Sequence, residues 1–374
     1  EAFGDSDDLA DALHVLGWFY WRRGKLDEAE PLLRRSIEVA ARSNAPASQA
    51  QSMHTLSLVL LNRARLAEGM SLLRESFEMA KQVGEFVLVH RMYNNVASCL
   101  LDYASDLAGA EDVIREGIEF ARRANAKHNL GWQLGTLADV QAERGRLAEA
   151  EVAAREALEW ATAVVDEPLI GMRAQGLGSI RFQQGALDEA EEMNDLGSSR
   201  LRDNPEPQSD VLVDVLSGWI AQARGRDEEA ADHYRHGRGL LSASGGTMPA
   251  VASADLARLL LRTRGTAAAR EAILDFTGEV SPASAAYGTL IRGLVEDDTR
   301  AAVSTLRDAA GRFEAIGMRV ELARTLLDLG RAQQRVGDDP RSTFERARDL
   351  LVECGAHQYA PEAEELLASA SSPR

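Results

Sequence analysis

His233 and His236 stand three residues apart with Asp232 beside them. Two imidazole nitrogens and a carboxylate at helical spacing are the ingredients of a metal site. Spacing indicates no further ligand, and a solvated helix face accounts for the trio as well, so no metal is expected. His14 and His54 lie 40 residues apart and are a second histidine pair. A phosphate loop needs closely spaced glycines ahead of Lys-Ser/Thr, and no such run occurs. Gly176-Leu177-Gly178 and Gly237-Arg238-Gly239 lack the third glycine and fall within predicted helices. Serines, histidines and acids are abundant, but no G-x-S-x-G elbow organises them into a nucleophile system. No catalytic residue and no cofactor are therefore expected. What remains is recognition chemistry: Trp18, Trp21, Trp132 and Trp219 placed among Asn, Gln and His side chains, the mixture that anchors a peptide or a small polar ligand.

These residues are positioned by an internal repeat. The segments GKLDEAE from Gly24, ARLAEGM from Ala64, SDLAGAE from Ser105, GRLAEAE from Gly145, GALDEAE from Gly185, GRDEEAA from Gly225 and GTAAARE from Gly265 are one box. Their starts step by 40, 41, 40, 40, 40 and 40 residues. Seven boxes in near-constant register mean one structural unit copied along the chain. Before each box apolar and small residues recur at helical spacing, as in Leu13, Leu16, Gly17 and Tyr20, and after it a second stripe follows, as in Leu33, Ile37 and Ala40. Each unit reads as helix, tight turn, helix. The box glycine ends the first helix in the left-handed conformation, and the acids after it suit the start of the second. Prolines 46, 168, 205, 207, 249, 282, 340 and 361 fall where helices are predicted to begin, and Pro31 lies a few residues after the first box. That placement agrees with the rule that proline is tolerated only in a first turn.

The expected fold is all-α: a right-handed superhelix of about nine helix-turn-helix repeats with a capping helix near 358–370. The repeats run approximately over 7–43, 46–83, 85–124, 126–164, 166–203, 206–243, 246–276, 280–315 and 317–355, as a single solenoid over 1–374. No unit buries its stripe alone, so stability comes from stacking on neighbours.

Composition narrows the partners. Lys+Arg 42 against Asp+Glu 59 gives a net charge of −17, which repels a phosphate backbone and makes nucleic acid an unexpected partner. Cys99 and Cys354 are the only cysteines, too few and too far apart for a disulfide framework or a cysteine zinc site, which fits a reducing, cytoplasmic setting. No run of 18 apolar residues exists, so no membrane span is expected. The opening Glu1-Ala2-Phe3-Gly4-Asp5, without an initiator Met, reads as the start of a piece cut from a longer protein.

Leu16, Gly17 and Tyr20, followed by Gly24, Ala29 and Leu33, resemble the tetratricopeptide repeat (TPR). The unit is about six residues longer than the usual 34, and the family's late-helix proline is replaced by Ala41, as in the longer bacterial variety. The stretch Leu322 to Arg331, through Ala347 to Gly355-Ala356, is similar to the C-terminal repeats of actinobacterial signalling ATPases, among them MalT-like and LuxR-type regulators and adenylate-cyclase-like proteins. The resemblance implies a non-catalytic sensor region that binds a protein, peptide or small-molecule effector on its concave face and regulates an ATPase or transcription-regulator module outside this chain. A plain interaction scaffold is the alternative. Carried over position by position, the groove residues are His14, Trp18, Trp21, Arg22, His54, Asn62, Asn95, Trp132 and Asp139. Further along they include Asp102, Tyr103, Phe182, Trp219 and Gln222. The seventh unit offers Ala252, Asp255, Leu259, Arg262 and Thr263, without aromatics, so the first four repeats are the better candidate surface.

Overall fold

A computed structural model describes residues 6–202, 207–239, 247–274, 276 and 281–371. Among them are nineteen α-helices and no strand. The helices pair in chain order: α1 (Asp7–Arg22) with α2 (Leu26–Arg42), α3 (Pro46–Asn62) with α4 (Leu66–Val83), α5 (Phe86–Cys99) with α6 (Leu107–Arg123), and α7 (Lys127–Glu143) with α8 (Leu147–Ala163). Then come α9 (Glu167–Gln183) with α10 (Leu187–Leu201), α11 (Pro207–Ala223) with α12 (Asp227–Gly239), and α13 (Met248–Thr263) with the short α14 (Thr266–Ala272). The last pairs are α15 (Pro282–Leu294) with α16 (Thr299–Ile316) and α17 (Arg319–Val336) with α18 (Arg341–Cys354), before the terminal α19 (Ala360–Ser371). This is a TPR-like solenoid of helix-turn-helix repeats. Pro205 and the end Ser372-Pro373-Arg374 lie outside the described residues.

The turns follow from the box. Gly24, Gly145, Gly185, Gly225 and Gly265 have φ of 69°, 73°, 84°, 76° and 85°, the left-handed region in which a residue without Cβ is unstrained. Ala64 and Ser105, at the same box position, take φ of 57° and 52°. The turn is thus imposed by the repeat even where the residue disfavours it. The acids of the box serve a purpose beyond the helix dipole. Asp27 pairs with Arg63, Asp188 with Arg224 at 2.6 Å, and Glu228 with Arg264, each arginine lying one repeat on at the end of the next first helix. These pairs are exposed, so each is worth little singly, but together they lock register between repeats. Pro31 departs from the first-turn rule: it lies inside α2, where it leaves the Asp27 carbonyl without its intrahelical donor.

The one 41-residue step, from Ala64 to Ser105, has a visible cause. The end of α5 continues as a π-helical turn over Leu100–Ala104, the form an α-helix takes when a single residue is inserted.

The described chain divides into two compact units. The first comprises the residues up to Ala104 with Ala108–Asn129; the second comprises Ser105–Leu107 with the described residues from Leu130 on. In the first, Ala29, Leu33, Leu56, Val59 and Leu60 form a buried cluster on which Tyr20, Trp21, Leu26, Ile37 and Leu72 pack. Gly17 permits that approach, since a Cβ there would lie 2.7 Å from Leu33 Cγ. The second unit closes on itself. Ser105 Oγ accepts from the Ala283 amide at 3.0 Å, the Gln358 amide donates to the Gln183 carbonyl at 3.1 Å, and Gly145 lies against Cys354.

Candidate binding site

In the first unit the polar residues of the first helices form a ladder. Ser48 Oγ donates to Asp7 Oδ1 at 2.6 Å, His14 Nε2 meets Thr55 Oγ1 at 3.0 Å, and His54 Nε2 meets Asn95 Nδ2 at 2.9 Å. Trp21 Nε1 donates to Asn62 Oδ1 at 2.8 Å, and Asn62 Nδ2 donates to Tyr103 Oη at 3.0 Å. Every rung spans 41 residues. Helices stacked one repeat apart bring these side chains into reach, and buried polar groups require such partners. Burial, then the neighbouring Arg91, lowers His14 to about 4, with Asp11 pulling the other way. Burial, Arg91 and His14 together lower His54 to about 3. Both imidazoles are therefore neutral at pH 7, with Nε2 already engaged. Trp21, Asn62 and Asn95 are half-buried in the same ladder, whereas Trp18 and Arg22 are exposed. Beside Trp18, the side chains of Val15, Leu16 and Phe19 are also open to solvent.

In the second unit the first helices carry charge. Arg258 (α13) contacts Asp255 at 3.2 Å, Glu321 (α17) at 2.6 Å and Asp328 (α17) at 2.9 Å. Arg324 (α17) pairs with Asp255 and, at 3.0 Å, with Glu321. Burial and mutual repulsion oppose the charge on these two guanidinium groups, but the three carboxylates outweigh both and hold Arg258 protonated. Burial likewise opposes ionisation of Asp255, yet Arg324, Arg258 and the Trp219 N–H bring its carboxyl below the ordinary value. Aromatic rings complete a circuit. Phe182 stacks on Trp219 at 5.4 Å, Trp219 Nε1 donates to Asp255 Oδ2 at 2.6 Å, Arg324 lies 4.8 Å from the centre of the Tyr359 ring, and Tyr359 meets Phe182 edge-on at 6.5 Å. Phe182 and Trp219, read from the sequence as groove residues, are buried here and occupied by neighbours. Asp255, from the unit that reads as poor in binding groups, is the hub.

One stretch of this unit carries an arginine and an aspartate that form no ion pair among the described residues. On α7, Trp132 is half-buried against the Ala161, Leu169 and Ile170 cluster. The Arg173 guanidinium of α9 lies 5.6 Å from its ring centre. Arg173 reaches back across α7 because residue 135 is glycine: a Cβ there would coincide with the guanidinium group. Asp139, one turn further along α7, faces solvent and leans toward α9, its Oδ1 3.7 Å from where a Cβ on Gly176 would lie. Arg173 is lowered by burial, with Asp139 pulling it back. Among the described residues Arg173 makes no ion pair within 4.0 Å, and its buried Nε has no hydrogen-bond partner.

His233 and His236 both turn Nδ1 to Asp214, His233 at 3.2 Å and His236 at 2.5 Å, while Asp232 pairs with Arg235. The histidine pair is thus bound to one carboxylate from α11 rather than to Asp232, and no cluster of ligands fit for a metal occurs among the described residues. No described helix is long and apolar enough to cross a membrane. Sequence reasoning named Trp132 and Asp139 but missed Arg173. The available signal was the column His14, His54, Asn95, Gly135, Gln175: a glycine in a polar column leaves room for a long side chain from the next repeat.

The model of the MalT-like TPR region matches residues 100–335, and that of a tetratricopeptide repeat matches 9–46 and 49–83. The chain belongs to the family of MalT-like TPR regions. No curated protein matches it. Among solved structures it is similar to a Rap protein complexed with competence and sporulation factor, at 12% identity over 96% of this chain and 99% of that one, with a TM-score of 0.64. It is also similar to the Rap conjugation gene regulator of plasmid pLS20 in complex with the Phr* peptide, at 12% identity over 99% and 100% of the two chains, TM-score 0.51. The human IFIT1 dimer with m7Gppp-AAAA is 16% identical over 95% and 81%, TM-score 0.50. At such identities the likeness is one of fold.

Proposed function

We propose that this chain is the sensor region of a regulatory protein and that a peptide or protein segment binds along the first helices, with the α7–α9 surface at its centre. The observation that carries the reading is Arg173, which lies against Trp132 in the gap left at Gly135, forms no ion pair among the described residues and keeps its buried Nε without an acceptor, beside a solvent-facing Asp139. Solved neighbours of this fold hold a peptide and a capped RNA; the acidic balance of this chain favours the peptide. Occupation of that surface biases an ATPase or transcription-regulator module of the kind that accompanies MalT-like repeats. Buried, unpaired Cys99 and Cys354 suit a cytoplasmic site of action.

A thermal-shift screen of the intact chain with short peptides, maltooligosaccharides and nucleotides tests the reading, because a ligand of the folded state raises the midpoint by mass action. Peptides are expected to raise it in a concentration-dependent way; a shift by sugars or nucleotides with none from peptides overturns the proposal. Trp132→Ala is expected to weaken peptide binding by about 1–3 kcal/mol, the range of an aromatic anchor, with helical content unchanged. A second reading, a docking scaffold, draws on the exposed apolar side chains of α1 at Val15, Leu16, Trp18 and Phe19, since contiguous apolar patches mark protein contacts.

A further inference from the structure

We infer that Arg173 is an anchor for a carboxylate of the bound peptide, with Trp132 as its platform and Asp139 as the acceptor for an N–H group beside that carboxylate. The inference rests on the peptide reading above and specifies its chemistry. The guanidinium of Arg173 is held in place without being neutralised. Its position is fixed by the gap at Gly135 and by the Trp132 ring, yet its Nε is shut away from solvent with no acceptor. A cation that served the fold would be paired, as Arg258 and Arg324 are by three carboxylates in the same unit. A planar fork fixed on an aromatic face is the arrangement that binds a carboxylate with two parallel hydrogen bonds.

Asp139 does not take that role, since it lies beyond 4.0 Å of Arg173. Two opposite charges, held on adjacent helices and apart from one another, complement a group that carries an acceptor and a donor side by side. The end of a peptide chain, or an acidic residue with its backbone N–H, has both. The ring edge of Trp132 left open by its half-burial takes the adjoining apolar side chain.

The test uses a library of fluorescein-labelled hexapeptides with free C-terminal carboxylates, read by anisotropy against the intact chain. Peptides that bind are remade as C-terminal amides and, separately, with each Asp or Glu replaced by Asn or Gln. One neutralisation, terminal or side-chain, is expected to weaken binding about tenfold or more, and the identity of that change says which carboxylate is held. Arg173→Gln is expected to weaken the acidic peptide to the level of its neutral analogue, so that the two changes are not additive. Arg173→Lys, which keeps the charge and loses the fork, is expected to recover only part. Because Arg173 makes no ion pair in the free protein and its buried Nε has no acceptor, R173Q should leave the apo unfolding midpoint unchanged or raise it, whereas a structural cation would lower it. Peptides that bind equally well to wild type and R173Q, or a clear fall in the R173Q apo midpoint, overturn the anchor and leave the peptide reading standing. A library without a single saturable binder overturns both.

Discussion

From Asp7 to Tyr103 the first unit holds its helices in register with hydrogen bonds between side chains one repeat apart, all but Asp7 neutral, whereas from Phe182 to Tyr359 the second uses charges and rings from repeats far apart in sequence. The rungs of the first span 41 residues; Arg258 reaches Glu321 over 63 residues and Asp328 over 70. A nearest-neighbour ladder stiffens a repeat array without closing it. The longer-range circuit ties α9, α11, α13, α17 and the turn before α19 into one closed set. The surface proposed for recognition lies between the two schemes, on α7 and the stretch of α9 before Phe182, where a glycine replaces the ladder's polar rung and an arginine from the next repeat lies in the gap.

Breaking the circuit should have the largest effect. Arg324→Met leaves Arg258 as the one cation for the buried Asp255, Glu321 and Asp328, and loss of one partner of a buried ion pair costs about 3–5 kcal/mol. Urea unfolding checks this, and a loss below about 1 kcal/mol, the scale of an exposed pair, would mean the cluster is effectively solvated.

The two schemes should also separate by pH. His14 and His54 are neutral in the fold, with values of about 4 and about 3, against an unfolded value near 6.5. The unfolded chain therefore takes up protons first as pH falls below about 6.5, and stability present above that pH is lost at about 1.4 kcal/mol per pH unit for each histidine, down to the folded values. Asp255, whose folded value is lowered, loses its contribution only in the ordinary carboxylate range and below, near pH 4. Hydrogen exchange at pH 5 against pH 7 should show faster opening of α1, α3 and α5 with little change in α13 and α17. Equal acceleration in both units would contradict the assignment of the ladder as the acid-sensitive element.

A smaller contrast lies in the turns. Gly145→Val and Gly225→Val both force a β-branched residue to positive φ, at a cost of about 1 kcal/mol or more. A Cβ at Gly145 also strikes Cys354, while nothing lies within 4 Å at Gly225. Overpacking adds about 1–3 kcal/mol, so Gly145→Val should unfold at the lower temperature; equal midpoints would mean that Cys354 and its turn move aside freely. The smallest effect belongs to Trp21→Phe, which removes one rung donor to Asn62 and should cost about 1 kcal/mol, read by thermal unfolding at pH 7.

The repeat, the helix pairs and the left-handed turns were legible because they depend on local periodicity and on residues within one box. The ladder was half legible: His14 and His54 share a column, but His14 bonds to Thr55, one residue along, because stacked helices are offset by one repeat and a fraction of a turn. The circuit was not legible. Its partners come from helices that meet only after the chain has turned back on itself, so spacing along the sequence carries no trace of them. Arg173 falls between these cases, announced only by the room left at Gly135.

The bond between Ser105 and Ala283 spans 178 residues, and that distance is also a statement about time. The first unit consists of neighbours in sequence and can assemble as soon as its own helices exist. The second needs ends that are far apart along the chain, and long-range closure slows folding because loop entropy is lost before contacts reward it. Refolding should therefore run in two phases, a fast gain of helix followed by slow docking of Tyr359 on Phe182, and during synthesis the second phase must wait until the last repeat has emerged.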